Sequence, residues 1–393
     1  MIYIKRMTLP TSMDLTTARC RIWDTVVVGA GPAGAVAARE IARRGATVLL
    51  VDKATFPRWK VCGSCLNARA LATLKAIDLG QVALNLQAIP LRRMCWATQG
   101  GHAELALPQG VAVSRERFDA ALVTAAQEAG ATFLPNTEAR PLSVSEHCRF
   151  VSLRQDQMTV RISTRLLVVA DGLGGSTSNS EPGLQRQVEP DSRLGAGVLL
   201  LQAPDYYLPG TIYMACARSG YVGLVRVEDG RLNIAAALVP DAVKQQGGLA
   251  GTAASILKAA GFPIPPDIAH VPWRGTPLLT RRLTRPYAQR MFILGDAAGY
   301  VEPFTGEGMA WALASGVAVA PLAVQAIQEW QPALGRHWGS LHRRIVTQRQ
   351  VVIRAAAQVL RRPWLTQTLV RVLACWPSLA QPVLTWMNRQ ALT

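Results

Sequence analysis

Short apolar runs broken by small-residue turns pattern the first part of the chain. Thr25–Val28 (TVVV) is β-branched and unbroken, an Ala-rich stretch runs on to Arg44, Gly45 stops it, and a second apolar run covers Thr47–Val51. This order predicts a strand, a glycine turn, a helix and a second strand. Further helices are expected from about Asn67 to Ile77 and from a Ser114 cap to just before Gly130, the latter with Phe118, Leu122 and Ala125 on one face. Phe150–Leu153, Met158–Ile162 and Leu166–Ala170 alternate like a hairpin and its return strand, several short strands lie between Leu194 and Pro277, and Met291–Leu294 reads as a buried strand. The stretch from Gly308 to Ile327 is uncharged and long enough to cross a bilayer. Its Ala and Gly content, Pro321 and the glycine loop before it predict a buried core helix instead. Amphipathic helical patterns resume from about Gly335.

The alternation predicts an α/β fold: a Rossmann-type cofactor domain, an inserted antiparallel β-sheet substrate domain and a C-terminal helical region. The expected boundaries are an N-terminal arm at 1–22, a discontinuous cofactor domain at 23–80, 113–185 and 286–330, a substrate domain at 81–112 and 186–285, and a basic helical region at 331–393.

Half of the 393 residues are hydrophobic and 17% are charged, which excludes a disordered chain. The 42 basic and 25 acidic residues give a net charge of +17, and only six of the basic residues are lysines. Between Gln331 and the C-terminus there is no Asp or Glu, whereas nine arginines fall there, so the excess is concentrated at that end. Charge of this kind favours anionic partners. No recognition module accompanies it, so nucleic acid is not an expected partner. The seven cysteines are odd in number and scattered, which argues against a disulfide framework and for a reducing compartment. Cys62 and Cys65 form one CxxC, but no second pair or spaced histidines accompany it, so no metal site is expected.

The glycine turn carries the most specific chemistry. Gly29, Gly31 and Gly34, interleaved with Ala30, Pro32 and Ala33, open the first helix, and Asp52, followed by Lys53, closes the second strand. Such a turn lets backbone N–H groups approach a pyrophosphate at a helix N-terminus, and the acid accepts from a ribose hydroxyl. Two later acids also follow apolar strands beside small residues: Asp171-Gly172, and Gly295-Asp296 with Gly306, Glu307, Gly308 and Met309 beyond it.

Together these stations resemble the FAD-dependent oxidoreductases with the aromatic-hydroxylase (class A) type of flavin domain, most closely their geranylgeranyl reductase-like branch. The resemblance covers roughly Asp24 to Gln328. It implies FAD as cofactor, with NAD(P)H or another external donor supplying electrons. It also implies that Phe56–Gly63, including Lys60, Cys62 and Gly63, lies beside the flavin, that Arg115 contacts it, and that Asp171-Gly172 and Gly295-Asp296 with Phe304–Met309 complete its site. The Tyr-x-Trp-x-Phe-Pro segment of prenyl reductases has no counterpart at Tyr221–Arg226, the halogenase Trp-x-Trp-x-Ile-Pro signature is absent, and no arginine follows the serine after Asp171-Gly172.

In such an architecture the flavin does the redox chemistry and the protein supplies position and polarity. Cys62 and Glu307 are candidate proton-handling groups; Tyr213, Tyr221, Trp273, Pro303 and Phe304 are candidate substrate contacts. The expected substrate is a hydrophobic small molecule, a phenolic polyketide or an isoprenoid. Hydroxylation is slightly preferred because the prenyl-tunnel segment is missing. Reduction of a carbon–carbon double bond in a prenyl or lipid substrate is the alternative, and a non-catalytic flavin-binding scaffold at a membrane is a third reading. The basic C-terminal region with Trp338, Trp364, Trp376 and Trp386 suits an anionic membrane surface or a homodimer contact. The expected location is the cytoplasm, peripheral to its membrane face.

Overall fold

A computed structural model describes Leu9, Thr11 and residues 13–177, 179, 181–302, 304 and 306–388. The first strand, Ile22–Val28, begins inside the expected N-terminal arm, and the preceding turn of helix, Leu15–Ala18, is capped by Asp14 and buries Leu15 and Ala18. Those residues belong to the core beneath the sheet.

The central sheet has eight strands. Its parallel part runs in the order Met291–Ile293, Met158–Val169, Ile22–Val28, Val48–Val51 and Thr132–Leu134. Register sets the site. Val28 lies opposite both Val51 and Val169, and Val169 lies opposite Ile293. Four strands therefore end level with one another, and the residues that follow them (Gly29, Asp52, Asp171 and Gly295) emerge along one edge, where open α/β sheets hold ligands.

Above this sheet the helix Pro32–Ala42 crosses the long helix Gly308–Gln328. Gly316 permits the crossing, since a Cβ there would stand 2.6 Å from the Ala33 carbonyl oxygen and 3.1 Å from the Val36 Cβ. The long helix is apolar enough to cross a membrane, but most of it is buried inside the molecule, as its small residues predict.

A second, seven-stranded sheet draws all its strands from 93–106 and 194–278. One face carries the helix Gly248–Ala259. The other faces a large cavity and is covered in part by the helix Pro363–Cys375, which lies over Arg93–Thr98 and Gly101–Ala106. Ties hold the second sheet to the cofactor domain: Glu228 accepts from the Ser114 amide at 2.8 Å and hydroxyl at 2.6 Å, and Arg231 pairs with Glu116 at 2.7 Å.

The C-terminal residues form the helices Pro332–His342, Gln348–Leu360, Pro363–Cys375 and Gln381–Asn388. Trp338, grouped by sequence with the interfacial tryptophans, is wholly buried and donates to the Ile293 carbonyl at 3.2 Å. It anchors the region to the central sheet. Trp364 and Trp376 are exposed, and the side chain of Trp386 lies outside the described residues.

Candidate active site

The glycine turn is built by close approach. Gly29 has φ +99°, and a Cβ on it would sit 2.3 Å from the Ala170 carbonyl oxygen; a Cβ on Gly34 would sit 1.8 Å from the Gly29 oxygen. Neither position admits a side chain. Gly31 differs, because the nearest atoms to its Cβ position are the guanidinium tips of Arg58 and Arg115, both at 3.7 Å. The helix starting at Pro32 has no side-chain cap, so its first amides and these two guanidinia surround a space suited to an anion. A dinucleotide pyrophosphate fits this cradle. Asp52 is buried at the second strand end, accepting from the amides of Ala30 at 2.8 Å and Ala54 at 2.9 Å. Lys53 next to it is exposed and does not line the cavity.

Two residues that hold this cradle, Arg58 and Asp119, sit within the Phe56–Gly63 stretch and the Ser114-capped helix, where the sequence assigns neither a role. Asp119, fully buried, receives both nitrogens of Arg115 at 2.8 and 2.7 Å and pairs with Arg58 at 3.2 Å. The i, i+4 spacing of Arg115 and Asp119 on the helix Arg115–Glu128 creates the bidentate pair. Arg58 reaches it across space. Burial pulls the Arg115 guanidinium down, but Asp119 and then Cys62 beside it outweigh burial and leave it above its ordinary value.

Lys60, Cys62, Gly63, Arg115, Gly172, Asp296, Gly306, Glu307, Gly308 and Met309 all line one continuous cavity of about 500 Å³. The Lys60 ammonium reaches toward Gly172, whose Cβ position is 2.8 Å from Nζ. Burial lowers the Lys60 pKa, Arg58 and Arg115 push the same way, and Asp296 opposes them. Burial raises the Asp296 carboxyl, against Lys60 and Arg115. Asp171 turns away from the cavity and accepts from the Thr177 amide at 3.0 Å, folding over Gly175, where a Cβ would stand 2.0 Å from its carboxyl carbon. Its part is to shape the turn at the strand end.

The proton-handling candidates occupy different settings. Cys62 is half-buried on the cavity wall against Arg115, and its carbonyl accepts from Asn233 at 2.8 Å. Its neighbour Cys65 donates to the Gly63 carbonyl at 3.1 Å, and burial, with Cys62 adding, pushes its thiol up to about 12. Glu307 is buried, accepts from Asn67 at 3.3 Å and pairs with Arg69 at 3.5 Å. That pairing ties the loop before the long helix to the Ala68–Ala76 helix.

The substrate candidates divide by sheet face. Successive side chains of a strand point to opposite sides. Along Thr211–Ala217, Ile212 and Met214 face the cavity, whereas Tyr213 turns to the other side, edge-on to Tyr207 at 4.9 Å and Phe262 at 5.7 Å. Trp273 joins the same far-side core, donating to the Ile268 carbonyl at 2.8 Å. Both were expected to touch substrate and instead support the Gly248–Ala259 layer. Tyr221 and Phe304 do line the cavity, edge-to-face at 5.3 Å, and Trp96 completes the group at 5.2 Å from Phe304. Pro303 lies outside the described residues. Behind Tyr221, Arg193 and Glu302 form a fully buried ion pair at 2.6 Å. No motif announced that pair. Among the described residues no three His, Cys, Asp or Glu side chains converge as metal ligands.

A known family's sequence pattern, described as an FAD binding domain, matches residues 23–330. The chain belongs to this FAD-binding family. It is an FAD-dependent oxidoreductase, and the pyrophosphate of FAD would fit the cradle just described. The chain is 30% identical over 332 residues to the menaquinone reductase of Mycobacterium tuberculosis, covering 76% of each protein. It is 28% identical over 328 residues to digeranylgeranylglycerophospholipid reductase 1 of Methanopyrus kandleri, covering 78% of this chain and 82% of that one. The fold is shared with a flavin-dependent brominase, at TM-score 0.76 and 15% identity over 94% of each chain. It is also shared with p-nitrophenol 4-monooxygenase from Pseudomonas putida, at TM-score 0.75 and 13% identity over 94% of this chain and 99% of the other.

Proposed function

We propose that this flavoenzyme reduces a carbon–carbon double bond in the isoprenoid chain of a lipid-like substrate, a prenylated quinone or a prenyl lipid. The observation that carries the reading is the division of the cavity. Its charged lining residues, Lys60, Arg115, Asp296 and Glu307, belong to the flavin-site motifs. Beyond them most of the described lining is aliphatic and aromatic, with Met94, Leu105, Met214, Leu373 and Leu384 among its side chains, and the polar residues there, Ser64, Asn67, Gln109, Tyr221, Thr276 and Tyr300, are uncharged. Hydroxylation of a phenol calls for a base to deprotonate the ring hydroxyl, and burial pushes the Tyr221 and Tyr300 hydroxyls far above the range in which they could act as one. An isoprenoid chain asks only for apolar burial, about 0.8 kcal/mol per CH₂. The names of the menaquinone and digeranylgeranylglycerophospholipid reductases lean the same way. The sequence favoured hydroxylation because a prenyl-tunnel segment is missing; here an equivalent apolar wall comes from the seven-stranded sheet and the C-terminal helices, which reverses that order.

Bound FAD, recharged by an external reductant such as a nicotinamide, supplies the hydride. The chain's own groups do the rest. Lys60, Arg115 and the amides opening the long helix at Gly308 line the cavity and would stabilise the negative charge of the reduced cofactor. Phe304, Tyr221 and Trp96 hold the chain and exclude water. As one alkene carbon receives hydride, the Cys62 thiol gives its proton to the other, and Arg115 holds the resulting thiolate until solvent reprotonates it.

The test is to mix photoreduced enzyme anaerobically with menaquinone or a geranylgeranylated lipid. Flavin reoxidation is expected with a product that stays heavier by H₂ after any quinol is reoxidised to quinone in air, and Cys62→Ala should slow it by about 10²–10⁴. Reoxidation only by oxygen, with a hydroxylated product, would overturn the proposal.

A further inference from the structure

Large exposed apolar side chains are unevenly distributed over this molecule. Within the twenty residues from Trp364 to Val383, Trp364 (64% exposed), Leu369, Trp376 (61%), Leu379 (57%) and Val383 (55%) all face solvent, and no other tryptophan whose side chain is described is as open. Three of the five, Leu369, Leu379 and Val383, also line the apolar end of the cavity. The surface patch and the cavity rim are thus the same structure, and the mouth opens through it.

Charge indicates what covers the patch. The exposed ionic side chains on the helix Pro363–Cys375 and at its start are Arg371 and Arg362, and the last acidic residue in the chain is Glu329. A second copy seated on this face would bring arginine against arginine. An anionic bilayer reverses the sign, each surface arginine contributing about 1 kcal/mol. Tryptophans flanking a basic, apolar helix face suit the headgroup boundary. A patch of this kind on a soluble surface marks an interaction site.

We propose that the face formed by Pro363–Cys375 and the segment on to Val383 seats the enzyme on an anionic lipid bilayer, with the cavity mouth against the hydrocarbon, so that a lipophilic substrate passes directly from membrane to cavity. The route of the substrate rests on the reductase reading above; the docking does not.

The full FAD-loaded chain is floated with phosphatidylcholine vesicles, with and without phosphatidylglycerol, across a salt series, while its size in solution is followed by sedimentation velocity. Binding should require phosphatidylglycerol and weaken with salt. The pair Trp364→Ala and Trp376→Ala, which does not touch the cavity, should lower partitioning by about tenfold or more, as should Arg362→Glu with Arg371→Glu. The tryptophan pair should leave turnover of detergent-dispersed substrate unchanged and slow turnover of vesicle-borne substrate. Absence of vesicle binding, binding indifferent to the tryptophan pair, or a solution dimer that this pair dissolves would each overturn the docking. Vesicle binding as expected, together with no reduction of any prenyl double bond, would sink the reductase reading alone.

Discussion

Two glycines three residues apart test the cofactor cradle at the scale of single atoms. A Cβ on Gly34 collides with the Gly29 carbonyl at 1.8 Å, whereas a Cβ on Gly31 meets only guanidinium tips at 3.7 Å. Gly31→Ala should therefore leave the melting temperature of the apoprotein nearly unchanged while weakening FAD binding at least about tenfold, or ~1.4 kcal/mol, because it fills space that a pyrophosphate needs. Gly34→Ala should lower both stability and cofactor content. Calorimetry of the apoproteins with FAD titration separates the two. The Arg193–Glu302 pair makes a second residue-scale prediction. Both side chains are buried, so Arg193→Leu leaves a carboxylate without its partner and should cost about 3–5 kcal/mol in urea unfolding. Arg193→Leu with Glu302→Leu should recover most of that loss. An equal loss in the double variant would mean that the pair stabilises through its shape and not its charge.

At the scale of elements, the crossing of the Pro32–Ala42 and Gly308–Gln328 helices decides where two N-termini converge. Gly31 and Gly308, at the starts of these helices, both line the cavity, and Gly316 lets the helices approach. Gly316→Leu, whose Cβ would stand 2.6 Å from the Ala33 carbonyl, should cost about 1–3 kcal/mol through overpacking and reduce FAD affinity with it. Thermal unfolding with and without FAD would show this as a lower melting temperature and a smaller cofactor-induced rise. If affinity were retained, the mutual placement of the two helix starts would not matter for the cofactor. Strand periodicity acts at the same scale: one residue of offset separates Met214, on the cavity wall, from Tyr213, in the far core.

For the whole molecule, the C-terminal helices act as core and as rim. His342, at the end of the helix Pro332–His342, is buried edge-on to Trp338 at 5.6 Å, and burial pushes its imidazole down to about 4. Its folded pKa lies below the unfolded value near 6.5, so the unfolded chain binds the extra proton first. The stability that His342 contributes as a neutral ring is present above pH 6.5 and is lost as pH falls toward 4, by about 3 kcal/mol in all. Unfolding free energies measured from pH 7.5 to 4.5 should fall less steeply for His342→Leu than for the wild type. Identical slopes would show that the imidazole stays solvated.

Local order was legible in the residues themselves. Gly29–Gly34 with Asp52, the Ser114-capped helix start, the two later acid–glycine stations and the small-residue helix all carry short-range steric or periodic demands that a chain states in one dimension. The sequence by itself thus determined a dinucleotide-type α/β domain and the flavin end of its cavity. What required the tertiary structure was every pairing across long separations. Arg58 meets Asp119, Arg193 meets Glu302, and Glu307 is taken up by Asn67 and Arg69. The side chains that complete the apolar cavity and form its mouth come from strands near residues 94–105 and 212–225 and from helices after 363. Periodicity can mark a residue as apolar, but only the sheet register and the docking of the C-terminal helices decide whether it faces a core, a cavity or solvent.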